Sequence, residues 1–306
     1  MSWEGAVDVA GTGFAVLDRV YQSGTMTDEG LGGSCANVLW SLAMLDRHVV
    51  PILTLGADVI GENLVEEFRA AGAETRYIAR RSGRLSPVLA QHLDTATGDH
   101  SFSSFCPDTS ERFPHYSPIE RRDVDEALTV VQSCAVFYAD RITEAIVEAM
   151  EATANAGGIV FFEPSAIGDL SLFARALDVT SILKFASDRL GEELIPEVVN
   201  RGIFAIVTGG AAGLDVCYGE RRVRCEAIPV DLVLDTCGSG DMVSVGLINR
   251  LLTCGFRAND LDFDDVVVGA RAGQRLASAN CSFVGARGIF RNLGPAAARR
   301  ALVEAE

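Results

Sequence analysis

The feature that most constrains the fold is a repeated alternation of helical and strand-like segments after Ile119. Short runs that are apolar along their whole length alternate with helical stretches such as residues 143–156. The runs are residues 134–138, 159–162, 181–185 and 204–207. Such strands are typical of a parallel sheet covered by helices on both faces. The sequence therefore predicts an α/β fold, with ligands binding at the carboxyl ends of the strands.

Composition and charge exclude several classes of protein. The chain has 306 residues, of which 48% are hydrophobic and 22% charged, so a full core is expected and disorder is not. A net charge of −16 argues against nucleic acid or an anionic membrane as a partner. No apolar run has the length of a membrane span, and the N-terminus does not read as a secretory signal. The eight cysteines form no Cys-x-x-Cys pair, which favours free thiols in the cytoplasm.

Residues 235–241 read Asp-Thr-Cys-Gly-Ser-Gly-Asp and precede a buried helical pattern at 242–252. The glycines therefore lie where a loop becomes a helix N-terminus, whose free N–H groups and dipole favour an anion. Asp241 falls in or beside the first turn, where it could accept a proton from a hydroxyl that attacks a phosphoryl group. The alternative is that Asp241 is an ordinary N-cap and the glycines form a tight turn.

A second glycine pair, Gly32 and Gly33, precedes Asn37 and an apolar helical run at 38–45. Glycine permits close approach of the backbone to a ligand, and Asn37 offers both a donor and an acceptor. The alternative is that Asn37 is a satisfied polar residue in the first turns of a helix. Gly-Thr-Gly at 11–13 lacks the third glycine of a dinucleotide fingerprint, and the P-loop motif is absent from the sequence.

Together, Gly-Gly-x-x-x-Asn at 32–37 and Asp-Thr-x-Gly-Ser-Gly-Asp at 235–241 resemble the two signatures of the PfkB, or ribokinase-like, carbohydrate kinases. The resemblance covers essentially the whole chain. It implies a single ribokinase-like domain over residues 1–306, with a central, mostly parallel sheet and helices on both faces. A small β-sheet lid would come from insertions at about 14–32 and 79–105, which carry strand and hairpin signals. An exposed lid edge invites a second copy, so a homodimer through the lid is expected.

The resemblance also implies an activity and assigns residues to it. The activity is transfer of the γ-phosphate of ATP to a hydroxyl of a small sugar, with Mg²⁺ and with a monovalent cation left open. Asp241 would be the catalytic base, and Gly238, Ser239 and Gly240 would form the anion hole. Acceptor binding would fall to Asp18, Gly32, Gly33 and Asn37, and nucleotide binding to Thr208, Gly210, Gly213 and Thr236. A glycine turn into the next strand is the alternative interpretation of residues 208–213.

Two other functions stay open. The first is a nucleoside kinase of the same family, because aromatic residues near the lid could stack on a base: Phe102, Phe105, Phe113 and Tyr116. The second is a catalytically weak relative that binds a sugar or nucleoside for regulation, although an intact Asp241 argues against it.

The sequence departs from the family where an Asn-x-x-Glu motif normally organises the metal and the phosphates. Alignment on Lys184 places Ala186 and Arg189 at the two motif positions. The metal ligands are therefore unknown. Arg189 has two expected roles, of which we favour the first: a structural ion pair with Glu163, Asp188, Glu192 or Glu193. The second is contact with the nucleotide phosphates, which a planar guanidinium suits.

Overall fold

The computed structural model describes residues 6–303 and confirms the predicted alternation of strands and helices. Within this part of the chain the strands are β1 (Val9–Thr12), β2 (Val16–Gln22), β3 (Thr25–Gly32), β4 (Val49–Pro51), β5 (Leu53–Gly56), β6 (Ile78–Arg81), β7 (Val88–Leu93), β8 (His100–Ser103), β9 (Val136–Ala139), β10 (Ile159–Phe162), β11 (Ile182–Ala186), β12 (Phe204–Thr208), β13 (Leu214–Tyr218) and β14 (Arg221–Cys225). The helices are α1 (Ser34–Met44), α2 (Val59–Ala70), α3 (Arg121–Ser133), α4 (Glu144–Asn155), α5 (Leu170–Val179), α6 (Ser187–Leu190), α7 (Ile195–Asn200), α8 (Ser239–Cys254), α9 (Phe263–Asn280) and α10 (Gly288–Leu302).

Local chemistry fixes where several helices begin. The side chains of Asp58, Thr143, Asp169 and Asp262 each accept a hydrogen bond from a backbone N–H in the first turn of the helix that follows. Such caps satisfy donors that have no partner inside the helix. Helices α2, α4, α5 and α9 therefore start at residues that the sequence itself specifies.

The central sheet has eight strands in the order β14-β13-β12-β11-β10-β9-β1-β4. Neighbours from β12 to β4 run parallel, whereas β13 and β14 add an antiparallel edge. Alternate residues of one strand enter different cores: Val136 and Tyr138 pack on one face, Phe137 and Ala139 on the other. Because both faces are buried, these strands are apolar throughout, as the sequence analysis predicted.

A separate four-stranded sheet, in the order β3-β2-β7-β8, forms the predicted small β-sheet. We call this sheet the lid. Strands β2 and β7 pair in parallel and the other neighbours are antiparallel. The second lid segment begins later than position 79, because β6 pairs with β5 in a two-stranded sheet of its own. Lid strand pairing on this side therefore starts at β7.

Glycines let α8 and α9 pack closely along the side of the sheet. A Cβ added to Gly246 would lie 2.3 Å from the Cα and N atoms of Gly273, and one on Gly273 would lie 2.4 Å from the carbonyl oxygen of Val243. No real side chain fits such a gap, so these two glycines set how closely the helices approach. This contact positions the N-terminus of α8, which carries Asp241. Among residues 6–303, no helix has the length and apolarity that crossing a bilayer requires.

Candidate active site

A cavity of about 570 Å³ lies between the lid and the carboxyl ends of the central strands. Arg141, Glu163, Ala186 and Thr208 line it from the ends of β9, β10, β11 and β12. The structure brings most of the predicted site residues to this cavity: Asp18, Gly33, Asn37, Thr208, Gly210, Thr236, Gly238, Ser239, Gly240 and Asp241. Residues more than 200 positions apart thus share one site, at the edge where parallel sheets bind ligands.

Asp241 is the third residue of α8 and only 9% of it is exposed. Its Oδ2 atom accepts a hydrogen bond of 2.8 Å from Nδ2 of Asn37. Burial, and next the nearby charge of Glu163, raise the pKa of Asp241 to about 7, while Asn37 and Lys184 act in the opposite direction. A carboxyl group that titrates near neutral pH is well matched to proton transfer.

Free backbone donors lie directly beside this carboxylate. Gly238 adopts a left-handed conformation with φ of 73°, and a Cβ there would lie 2.5 Å from the Cβ of Ala286. Within the described residues, the N–H groups of Gly238, Gly240 and Asp241 have no protein acceptor. Ser239 differs from these residues, because its N–H and its hydroxyl both donate to the carbonyl of Thr236, at 3.2 and 2.7 Å. The donors that remain at this helix N-terminus suit a phosphate.

A buried ion pair that the sequence analysis missed lies next to these donors. Lys184, the single lysine of the chain, is 2% exposed and pairs with Oε1 of Glu163. Oε2 of Glu163 accepts hydrogen bonds from the hydroxyls of Tyr138, at 3.0 Å, and Ser244. A Cβ on Gly240 would lie 3.5 Å from Nζ of Lys184. The sequence signal was available: one lysine in the whole chain, placed near the carboxyl end of a buried strand.

The structure does not form the structural ion pair that was favoured for Arg189. Arg189 is exposed and lines the cavity, and among residues 6–303 no carboxylate pairs with it. Glu163 pairs with Lys184 instead, and Glu192 pairs with Arg222 at 3.3 Å. The reason is geometric: Arg189 follows β11 in the short helix α6, at the mouth of the cavity. Its guanidinium therefore has donors available for a ligand.

Asp18 lies on β2 at the lid end of the cavity, and burial raises its pKa to about 7 against the opposing effects of Arg287 and the N–H of Gly33. Gly32 does not line the cavity, although a Cβ at this position would lie 1.8 Å from Oδ2 of Asp18. Gly33 has φ of 89°, and a Cβ there would lie 2.4 Å from the carbonyl oxygen of Phe14. Both glycines are thus required by close packing around the Asp18 end of the site.

Asp140, a second residue that the sequence analysis missed, holds the start of α1 in place. This fully buried carboxylate accepts hydrogen bonds from the N–H of Phe14 at 2.8 Å and the N–H of Cys35 at 3.0 Å. It also accepts one from the hydroxyl of Ser34. Donors from the loop after β1 and from the first turn of α1 therefore converge on one side chain, which fixes the backbone that presents Asn37.

The predicted nucleotide residues divide into two groups. Thr208, the last residue of β12, and Gly210 in the turn that follows line the cavity. Gly213 does not line the cavity: it has φ of 92°, and a Cβ there would lie 2.3 Å from the carbonyl oxygen of Cys225. Gly213 therefore lies in a tight turn into β13. Thr236 lines the cavity and ties its loop to the lid turn, since its N–H and hydroxyl donate to the carbonyl of Gly98 at 3.1 and 3.2 Å.

Comparison with known proteins identifies the family. The model of the pfkB family of carbohydrate kinases matches residues 18–290. The ribokinase of Arabidopsis thaliana, solved with ribose and ATP, superposes with a TM-score of 0.72 at 18% identity, covering 98% of this chain and 100% of that one. A fructokinase of Xylella fastidiosa with bound ATP gives a TM-score of 0.75 at 20% identity, over 92% of this chain and 93% of that one.

A nucleoside kinase of Burkholderia thailandensis in complex with inosine has the same architecture, with a TM-score of 0.70 at 15% identity over 92% of each chain. Sugar kinases and nucleoside kinases are thus similar to this chain to a comparable degree. Superposition on these structures over most of the chain makes the fold ribokinase-like. On the match of the family model over most of its length, the chain belongs to the pfkB family of carbohydrate kinases.

Proposed function

We propose that this chain is an ATP-dependent phosphotransferase that moves the γ-phosphate to a hydroxyl of a small sugar. The observation that carries the proposal is the start of α8, where the Asp241 carboxylate lies beside the free N–H groups of Gly238 and Gly240. A binding site for a neutral ligand alone has no use for a base and an anion site side by side. Both groups face one cavity with Asp18 and Asn37.

The residues supply a complete proton and charge balance for the transfer. The acceptor hydroxyl loses its proton to Asp241 while its oxygen forms a bond to the γ-phosphorus and the bond from that phosphorus to ADP breaks. The N–H groups of Gly238 and Gly240 stabilise the negative charge on the transferred phosphoryl oxygens. Asn37 holds the Asp241 carboxylate through its 2.8 Å hydrogen bond and so orients it toward the acceptor.

Cationic side chains take the place of the absent Asn-x-x-Glu motif in this proposal. Lys184 lies beside Gly240, and Arg189 lines the same cavity without a carboxylate partner among the described residues. Both would partly neutralise the triphosphate. The ion pair with Glu163 holds the ammonium group of Lys184 in one position before any ligand binds. Phosphate binding would therefore not require this side chain to reorganise.

The donor set of the cavity fits Mg²⁺. Asp188 lines it without an ion-pair partner among residues 6–303, and Mg²⁺ is normally held by one or two carboxylates together with water and substrate phosphates. When bound, Mg²⁺ neutralises charge on the phosphates of ATP. Asp235, the buried carboxylate of the loop before α8, already accepts hydrogen bonds from Gln91, Gly285 and the N–H of Cys237. The proposal therefore includes Mg²⁺ and leaves a monovalent cation to assays in potassium and tetramethylammonium salts.

A nucleoside is the second candidate acceptor, and one contact favours it. Of the four aromatics considered, Phe102 lines the cavity, where its ring meets that of His100 edge to face at 5.1 Å between centroids. An exposed aromatic face at a cavity can stack on a base. The others have different surroundings: Phe113 is buried under Arg19, Tyr116 packs against Phe14, and Phe105 is exposed outside the cavity.

The test is formation of ADP by the purified chain with Mg²⁺-ATP and a panel of D-ribose, D-fructose, inosine and adenosine. We expect turnover with at least one sugar that exceeds hydrolysis of ATP without acceptor, with a phosphorylated sugar as product. Turnover confined to the nucleosides would replace the sugar proposal by the nucleoside one. Tight binding of an acceptor without any ADP would indicate the catalytically weak, regulatory relative.

A further inference from the structure

A second, smaller cavity of about 30 Å³ continues from the candidate active site past Asp18 and Asn37, which line both spaces. Its other walls include Gln91, Arg287 and Arg291. Asp241 and the free N–H groups of Gly238 and Gly240 line only the larger cavity. An acceptor held between Asp18 and Asn37 would therefore point one end at Asp241 and the other into this space.

Arg287 is built rigidly into the wall of the smaller cavity. It is 3% exposed, and its guanidinium carbon lies 4.5 Å from the centre of the Trp40 ring. Its Nη2 atom donates to the carbonyl of Leu31 and to Oε2 of Glu67, the latter at 3.3 Å. Stacking and two hydrogen bonds from one nitrogen fix the plane of the guanidinium, so the direction of the other nitrogen is fixed as well.

The second terminal nitrogen of the guanidinium, Nη1, is buried and has no hydrogen-bond partner within residues 6–303. Two acceptors at the same cavity are in the same condition: Oδ1 of Asp18 and Oδ1 of Asn37. Buried polar groups without partners are rare and costly in folded proteins. One unpaired donor and two unpaired acceptors around one space are complementary to hydroxyl groups, each of which donates and accepts.

We propose that Arg287 is an acceptor-binding residue that selects a neutral polyol with adjacent hydroxyls. Nη1 donates a hydrogen bond to the oxygen of one hydroxyl group. The hydroxyl groups in turn donate hydrogen bonds to Oδ1 of Asp18 and Oδ1 of Asn37. This assignment rests on the proposed kinase function and adds a contact to it. Arg287 would contact the end of the acceptor that lies opposite to the hydroxyl receiving the phosphate.

The charges around the smaller cavity favour a neutral acceptor over a sugar acid or a sugar phosphate. Asp18, Asp28 and Glu29 line it against Arg287 and Arg291. The charged groups are already paired: Arg287 with Glu67, Arg291 with Asp28 at 2.7 Å, and Glu29 with Arg19 at 3.1 Å. An anionic group would thus find no unpaired cation among the described residues of the lining and would lie beside the carboxyl group of Asp18, which disfavours its binding.

The proposal is tested with Arg287→Lys, which keeps the charge but loses the planar pair of donors. The probes are D-ribose, D-fructose, D-ribonate and the monodeoxy analogues of the better sugar. We expect the KM for the better sugar to rise about 10- to 100-fold and the KM for ATP to change less than about twofold. For one monodeoxy analogue, wild type and variant should have nearly equal KM values, because the hydroxyl that Arg287 contacts is gone.

Arg299→Lys is the matched control. Arg299 lies on α10, which follows Arg287 directly, and it also pairs with a carboxylate and a backbone carbonyl, those of Asp46 and Met44, but it lines neither cavity. Its variant should leave the KM for the sugar unchanged. A structure of wild type with a non-hydrolysable ATP analogue and the sugar adds a readout that does not depend on how the variant folds. It should show a sugar oxygen about 2.7–3.2 Å from Nη1.

Two results would overturn the assignment while leaving the kinase function intact. One is an unchanged KM for the sugar in Arg287→Lys. The other is a structure in which Nη1 holds only a water molecule and no sugar oxygen. Preference of wild type for D-ribonate over D-ribose would overturn the neutral polyol. If wild type phosphorylates no probe at all, the proposed function fails, and the role of Arg287 fails with it.

Discussion

At the scale of single residues, the proposed reaction depends on two carboxyl groups whose pKa values lie near neutral pH, Asp241 and Asp18. Burial is the first cause of both shifts. A folded-state pKa above the ordinary value means that the ionised form destabilises the fold. Ionising these carboxyl groups for the reaction therefore lowers the free energy of unfolding, and this loss can be measured.

Asp241→Asn should lower kcat by roughly 10²–10⁴ and leave the Kd for ATP and acceptor close to wild type, since asparagine keeps the shape but cannot take a proton. The variant should also be the more stable protein. The gain should grow as pH rises from about 4 to about 7 and then stay constant, because wild type ionises Asp241 against its environment over that range. Calorimetry and denaturant unfolding at several pH values measure both effects. Turnover near that of wild type would exclude Asp241 as the base.

With acceptor bound at saturation, kcat should fall by about tenfold per pH unit below about 7, since only ionised Asp241 accepts the proton. The charges around Asp241 predict the direction of two shifts. Glu163→Gln removes a negative neighbour and should move the acid limb to lower pH, whereas Lys184→Met removes a positive one and should move it to higher pH. Limbs that move together, or not at all, would contradict this account of Asp241.

Arg189→Ala should raise the KM for ATP by about three- to tenfold, because a cavity-lining guanidinium without a carboxylate partner is free to contact phosphate. Added Mg²⁺ should restore part of the activity. The melting temperature should stay the same, since no ion pair among the described residues is lost. Arg222→Ala, which breaks ion pairs with exposed Glu192 and buried Asp215 outside the cavity, is the control and should leave the KM for ATP unchanged.

At the scale of elements, the contact between α8 and α9 determines where the N-terminus of α8 lies. Gly246→Ala would force a methyl group against the backbone of Gly273, so we expect a loss of about 1–3 kcal/mol in the free energy of unfolding. Val268→Ala, on an exposed part of α9, should cost less than about 0.5 kcal/mol. Denaturant unfolding measures both. Equal stability of Gly246→Ala and wild type would show that the helices can separate without cost.

At the scale of the whole molecule, the lid leaves β3 and β8 as edges of its sheet, and edge strands invite pairing with a second copy. We expect a homodimer through the lid. Met26→Glu, at a half-exposed position of β3, should shift the chain toward a monomer in sedimentation velocity, because it places a charge on that surface. Leu170→Glu, at an exposed position at the start of α5, is the control and should have no effect. A monomeric wild type would reject the lid dimer.

The sequence by itself determined the architecture and the motifs. Apolar strands between helices predicted a parallel sheet, because a strand that is buried on both faces is apolar at every position and does not alternate with polar residues. The two glycine motifs predicted which loops would meet a ligand, because close approach and positive φ leave only glycine. In the structure both Gly238 and Gly33 have positive φ, and a Cβ would collide with Ala286 at Gly238 and with Phe14 at Gly33.

The tertiary structure alone decided which side chains act on which. The pairing of Lys184 with Glu163, the loss of the Ser239 donors to Thr236 and the unpaired Arg189 all depend on contacts between distant segments. Arg287 shows this most clearly, since Leu31, Glu67 and Trp40 hold it from three other elements. Spacing along a chain encodes periodicity and backbone conformation. Burial, charge balance and unpaired donors arise only when the chain is folded, because they depend on neighbours in space.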